Sequence, residues 1–160
     1  MAQAAAVSRN RELSLLILGL IVGGGALALV ALARDDADVA IAAPFVTVFA
    51  GVYLAAHFAV RRFAPRANPL ILPLAGIVNG LGIAAIFRLS EYKPYEDAAS
   101  AQLTWTIVGI GCFIGTLVLV RDARVLTRFK YIFGFAGVGL MLLPLAPGVG
   151  KEINGAQLWV

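Results

Sequence analysis

The sequence is short of the residues on which catalysis and disulfide chemistry usually depend. It has one cysteine, Cys112, and one histidine, His57, and only 14% of its 160 residues are charged. A single cysteine excludes an internal disulfide, and Cys112 lies within an apolar run, which favours packing over redox chemistry. The residues show no Ser/His/Asp set, no Cys/His cluster and no phosphate-binding loop, so they indicate no catalytic or metal site.

Charged residues are missing from several long stretches. The chain is 61% hydrophobic, whereas a soluble domain is about 45–50% apolar. A bilayer core about 30 Å thick needs about 20 helical residues. We therefore predict an all-α, polytopic transmembrane helical bundle, a single membrane domain over residues 1–160, with about five spans: 13–33, 39–60, 69–87, 102–120 and a shorter one at 131–146.

The first apolar run has an alternative interpretation. Arg9 and Arg11 could form the basic start of a signal peptide, and the Ala-Leu-Ala sequence at 31–33 resembles a cleavage site. The apolar core of a signal peptide is about 7–15 residues long, and this run is longer. A retained transmembrane helix is therefore the favoured interpretation.

The basic residues predict a cytoplasmic N-terminus. Four of the 13 Lys and Arg residues then face the outside, and the other nine face the cytoplasm, as the positive-inside rule requires. The outer four are Arg34, Arg88, Lys93 and Lys151. Because the net charge of +4 is spread over loops beside the membrane, it indicates contacts with membrane lipids and not with nucleic acid.

Polar residues within the predicted spans are few. No charged residue lies deep in a span, which argues against a complete ion-coupled transporter. His57 lies near a span end and is interpreted as an interfacial side chain, because a proton relay would need partners that the sequence does not show. Asn79 falls near the middle of its span, where it should form an interhelical hydrogen bond or line a polar cavity.

Glycine and proline positions predict how the helices pack. Pairs of glycines four residues apart let helix backbones approach closely. These pairs are Gly19 and Gly23, Gly76 and Gly80, and Gly111 and Gly115. Pro44 and Pro73 fall in the first third of their spans, where each is expected to kink its helix slightly.

Two stretches carry a family resemblance. NGLGIAAIFRLS, residues 79–90, resembles the end of the first core helix of the SEDS family, which includes the RodA and FtsW proteins of cell elongation and division. EINGAQLWV, residues 152–160, resembles the family motif N/K-G-A-x-x-W, represented here by Asn154, Gly155, Ala156 and Trp159. The two preceding helices match a RodA-like form with two extra N-terminal helices. Leu158 departs from the Arg or Lys found in many members.

The resemblance implies a function that the residues alone do not. SEDS proteins polymerise lipid II at the plasma membrane, with a class B penicillin-binding protein as partner. The family's catalytic acid lies in a later outer loop, so no catalytic residue and no cofactor are expected in this chain, although a divalent cation fits the full enzyme. We expect an N-terminal fragment that is inactive alone. The alternative is a non-enzymatic membrane scaffold or part of a transporter.

Overall fold

The computed structural model describes residues 2–34, 38–120, 128–142, 151–153 and 156–159, with side chains for 9–34, 38–120 and 128–142. The chain divides into two compact units, Met1–Leu119 and Val120–Val160. The first unit contains α1 (Ala2–Leu32), a 3-10 helix (Val39–Ala42), α2 (Ala43–Phe63), α3 (Ile71–Leu89) and α4 (Ala98–Leu119). The second contains α5 (Lys130–Leu142), β1 (Lys151–Ile153) and β2 (Ala156–Trp159).

Four helical segments are long and apolar enough to cross a membrane. They are Arg9–Leu32, Val39–Phe63, Ile71–Leu89 and Ala98–Leu119. They match the first four predicted spans, and the prediction of a transmembrane helical bundle is confirmed. The chain is a multi-pass membrane protein. The fifth predicted span is less well supported, because the 13 residues of α5 extend only about 20 Å at about 1.5 Å per residue. Residues 143–146 of the fifth predicted span lie outside the described residues.

Both prolines start their helices instead of kinking them. Pro44 lies at the first turn of α2, directly after the 3-10 helix, and Pro73 is the third residue of α3. The first-turn N–H groups of a helix have no intrahelical acceptor, so proline costs no hydrogen bond there. The expected slight kinks therefore have no cause at these positions. Asp38 caps the 3-10 helix by accepting a 2.8 Å hydrogen bond from the backbone N–H of Ala40.

The core of the first unit lies where α1 crosses α3, and the two helix backbones approach closely at Gly23 and Gly80. A Cβ atom added to Gly80 would lie 2.9 Å from the Cα of Gly23, and one added to Gly19 would lie 3.0 Å from the Ile77 side chain. Any larger residue at Gly80 would force the helices apart, because real Cβ atoms do not approach so closely. The packing role predicted for the first two glycine pairs is confirmed. This packing also favours a retained α1 over a cleaved signal peptide.

Aromatic side chains from α2 complete this core. Phe49 is fully buried against the Gly23–Gly80 crossing, and its ring centroid lies 4.9 Å from that of Tyr53. Helix α4 packs on α2 and α3 but buries little of its own surface. Gly111 and Gly115 have no atom within 4 Å of an added Cβ, so their predicted packing partner does not lie within the described residues.

Candidate functional site

The family motif at the end of the chain includes a β-hairpin. Strands β1 and β2 pair antiparallel, with Glu152 opposite Gln157 and Ile153 opposite Ala156. Ala156 and Trp159 of the predicted site begin and end β2. Asn154 and Gly155 join the strands in sequence and lie outside the described residues, and the roles predicted for these four residues stay predictions.

The sequence also contains a local signal for this hairpin, which is separate from the family motif. An Asn-Gly pair between two short segments is the strongest short-range indication of a two-residue β-turn, because both residues tolerate a positive φ angle. Asn154 and Gly155 are such a pair. The same residues therefore carry both the family motif and the hairpin.

Asn79 forms the hydrogen bond expected of an amide inside a membrane span. Its side chain lies 3.3 Å from the hydroxyl of Thr106, through both Nδ2 and Oδ1. Thr106 is buried and also donates a 3.0 Å bond to the carbonyl of Gln102. The pair joins α3 to α4, so the prediction of an interhelical hydrogen bond is confirmed. That Asn79 lines a polar cavity stays a prediction.

A buried cluster of ionisable residues joins α1 to α2, and the sequence interpretation missed it. The carboxylate of Glu12 accepts a hydrogen bond from Arg9 and lies 2.7 Å from His57 Nδ1. Glu12 and His57 are fully buried and Arg9 is 2% exposed. Arg9 also donates to the carbonyl of Ala67, just before α3. His57 lies near the span end as predicted, but its side chain is buried against Glu12, so the expectation that it has no partner is wrong.

The geometry explains why these charges can be buried. An unpaired buried charge is costly, whereas Glu12 has a cationic partner at one carboxylate oxygen and an imidazole at the other. The Nε2 atom of His57 is buried without a hydrogen-bond partner in the part of the chain that the structure describes. The cluster fixes the relative positions of α1, α2 and the segment before α3. Removal of one member would leave the others uncompensated.

Two arginines connect the C-terminal ends of α1 and α3. Arg34 donates a 3.3 Å hydrogen bond to the carbonyl of Phe87, and its guanidinium lies 5.1 Å from the centre of the Phe87 ring. Arg88 donates a 3.3 Å bond to the carbonyl of Ala33 and forms an ion pair with Glu91. Because α1 and α3 meet at both ends, they run parallel, and α2, which connects them in the sequence, runs in the opposite direction.

Among the residues that the structure describes, no group of three or more His, Cys, Asp or Glu side chains could hold a metal ion. Cys112 is a free thiol on an exposed face of α4, so the packing role expected for it has no partner among the described residues. The described side chains thus form structural polar clusters, and none of these clusters has the layout of a hydrolytic or redox centre.

Comparison with known proteins supplies what the geometry leaves open. The peptidoglycan glycosyltransferase RodA of Mycobacterium tuberculosis is 34% identical over 160 residues, covering 95% of this chain and 34% of the relative. RodA of Mycobacterium leprae is 34% identical over 157 residues, with 95% and 33% covered. These matches confirm the resemblance to the SEDS family.

A second kind of glycosyltransferase, FtsW, is also similar. The probable peptidoglycan glycosyltransferase FtsW of Mycobacterium tuberculosis is 33% identical over 100 residues, which is 56% of this SEDS-like chain and 18% of the relative. No family model and no solved structure matches. The chain spans about a third of the length of the RodA proteins that it matches.

Proposed function

We propose that the chain forms part of a RodA-like peptidoglycan glycosyltransferase that acts on lipid II at the plasma membrane. The observation that carries the proposal is the similarity to RodA along 95% of the chain. The four apolar spans fit an enzyme whose substrate has a lipid anchor, because such a substrate can reach its binding site only from the bilayer. The weaker match to FtsW makes elongation the favoured role over division.

The reaction proposed for the whole enzyme is the transfer of a growing glycan from its pyrophosphoryl lipid carrier to the 4-hydroxyl of lipid II. A carboxylate would act as base or as electrostatic stabiliser. We do not assign that carboxylate to Glu12, because both of its oxygens are occupied within a buried cluster. The proposed contribution of these 160 residues is to anchor and align the helices, and we expect the chain alone to make no polymer.

The proposed orientation places the N-terminus in the cytoplasm. Arg9 reaches the carbonyl of Ala67 and Arg61 donates a 3.3 Å bond to Asn10, so the basic residues before α1 and after α2 share one end of the first unit. Five of the basic residues of this unit lie there: Arg9, Arg11, Arg61, Arg62 and Arg66. The other end has three, Arg34, Arg88 and Lys93. This asymmetry supports the positive-inside orientation.

The proposed partner is a class B penicillin-binding protein, which would cross-link the glycan that the enzyme makes, and a divalent cation is proposed only for the whole enzyme. The partner proposal is tested by affinity purification of a longer protein that carries residues 1–160. A transpeptidase should co-purify in amounts close to one per enzyme. Its absence from gently solubilised membranes would contradict this part of the proposal.

The buried cluster does not support the transporter alternative. Proton-coupled carriers place ionisable residues near the middle of the membrane. Arg9 and Glu12 instead precede the apolar run that starts at Leu13, and His57 lies six residues before the end of the span Val39–Phe63. The cluster therefore belongs to the membrane edge, which supports a structural role.

Growth of a mycobacterium depleted of its own RodA tests the proposed function. A chimera in which residues 1–160 replace the matching part of Mycobacterium tuberculosis RodA should restore rod-shaped growth. A second chimera carrying an unrelated four-span segment is the matched control and should not. If the first chimera accumulates in the membrane at the level of RodA but leaves the cells rounded, the proposal is wrong.

A further inference from the structure

A cavity of about 330 Å³ lies at the basic end of the first unit. It is enclosed by the end of α2, the start of α3 and the second half of α4. Its walls are apolar, with Val60, Ile71, Leu72, Ala75, Ile110 and Phe113 among the lining residues. This volume falls at the lower end of the range of small-molecule pockets, which is about 300–1,000 Å³. Its shape and lining suit a hydrocarbon chain.

Four exposed arginines lie close in the sequence to residues that line this cavity. Arg11, Arg61, Arg62 and Arg66 are exposed, and each lies within two residues of one that lines the cavity. Arg9 is excluded from the count because it is buried against Glu12. Clusters of four or more basic residues beside a membrane span attract anionic lipid headgroups, and basic pockets between spans hold them.

Glu12 is the one acidic residue that lines the cavity, and its charge does not oppose this assignment. Both of its oxygens face partners inside the protein, Arg9 and His57. The charge that a bound molecule meets at this end is therefore set by the exposed arginines. An apolar cavity at the end of the unit that carries these exposed arginines matches a molecule with an acyl chain and an anionic head.

We propose that this cavity binds one acyl chain of an anionic phospholipid, with the headgroup phosphate among Arg11, Arg61, Arg62 and Arg66. The proposal is independent of the glycosyltransferase assignment, because it uses only the cavity and the charges around it. A second copy of the chain is a poorer occupant, since it would bring the same arginines against each other at like charge. The lipid would also fill the space between α3 and α4.

Native mass spectrometry of the full 160-residue chain, delipidated in detergent, tests the proposal. Dioleoyl-phosphatidylglycerol is titrated against dioleoyl-phosphatidylcholine, which has the same tails and no net charge. We expect one phosphatidylglycerol molecule to be retained, with at least about a fivefold preference over phosphatidylcholine, the effect of about one arginine near a headgroup. Equal retention of the two lipids would overturn the proposal.

Two pairs of variants test the headgroup site and the acyl-chain site separately. Arg66→Gln should weaken phosphatidylglycerol retention about fivefold, whereas Lys93→Gln, at the other end and 89% exposed, should not change it. Ala75→Phe fills the cavity and should abolish retention, whereas Ala85→Phe, on an exposed face of the same helix, should not. Circular dichroism verifies that each variant keeps its helix content.

Each remaining outcome has a defined meaning. Loss with Arg66→Gln but not with Ala75→Phe would show a surface patch and would contradict an acyl chain in the cavity. Loss with Ala75→Phe but not with Arg66→Gln would show an uncharged apolar ligand and would contradict the headgroup assignment. A species at twice 16.8 kDa that retains no phosphatidylglycerol would contradict the proposal.

Discussion

Glu12 and His57 are fully buried side chains on different helices, and the carboxylate oxygen Oε1 lies 2.7 Å from the imidazole Nδ1. They are 45 residues apart in the sequence. With Arg9 on the second carboxylate oxygen, they form a buried polar cluster at the basic end of the first unit. The positions of α1 and α2 relative to one another depend on it.

Removal of the charge of Glu12 should destabilise the protein strongly. Glu12→Gln leaves Arg9 buried without an anionic partner, and breaking a buried ion pair costs about 3–5 kcal/mol. The measurement is the free energy of reversible unfolding in mixed micelles. Glu96→Gln is the control, because Glu96 is 61% exposed and its loss should cost about 1 kcal/mol or less. Equal effects of the two substitutions would contradict the structural role of the cluster.

The crossing of α1 and α3 should not tolerate a side chain at Gly80. Gly80→Ala places a Cβ 2.9 Å from the Gly23 backbone, and such overpacking costs about 1–3 kcal/mol. Gly82→Ala is a matched control on the same helix, since its added Cβ meets nothing within 4 Å. The same unfolding assay should show a loss for the first variant and no loss for the second. A neutral Gly80→Ala would mean that the helices do not cross there.

The Asn79–Thr106 hydrogen bond should contribute a modest interaction energy. Hydrogen bonds between helices in membranes are worth about 0.6 kcal/mol on average and up to about 1.7. A double-mutant cycle with Asn79→Leu and Thr106→Val measures this coupling. We expect a value in that range, and we expect the cycle of Asn79→Leu with Thr104→Val to show none. A coupling energy of zero between Asn79 and Thr106 would mean that α4 does not pack beside α3 as the structure shows.

The orientation in the membrane is open to a direct labelling test. In a Cys112→Ser background, Lys93→Cys should react with an impermeant maleimide on intact spheroplasts. Pro65→Cys, exposed at the opposite end of the unit, should react only after the membrane is opened. The reverse pattern would place the N-terminus outside and invalidate the orientation.

Hydropathy predicted the helices well because a membrane span must be long and uncharged over its whole length. The predicted span 69–87 became Ile71–Leu89, and 102–120 became Ala98–Leu119. α1 extends beyond its predicted start, because Arg9 and Glu12 find partners inside the bundle and so can join an apolar helix. No hydropathy window contains that information.

Contacts between distant residues were the part that the sequence could not supply. The glycine pairs in α1 and α3 were visible as a pattern, but the pattern does not say which pairs meet, and that of α4 meets nothing among the described residues. Likewise, one histidine and one glutamate 45 residues apart carry no mark of their pairing. The Asn-Gly hairpin signal was local and readable, and it was overlooked in favour of the family motif.

The most direct test of the central claim is lipid II polymerisation by a purified chimera in which residues 1–160 replace the matching part of Mycobacterium tuberculosis RodA. With fluorescent lipid II as substrate, the chimera is predicted to make glycan polymer at a rate within about tenfold of the parent, an activation difference of about 1.4 kcal/mol. The 160-residue chain alone is predicted to make none. A chimera that folds, stays monodisperse in detergent and still makes no polymer would contradict the account.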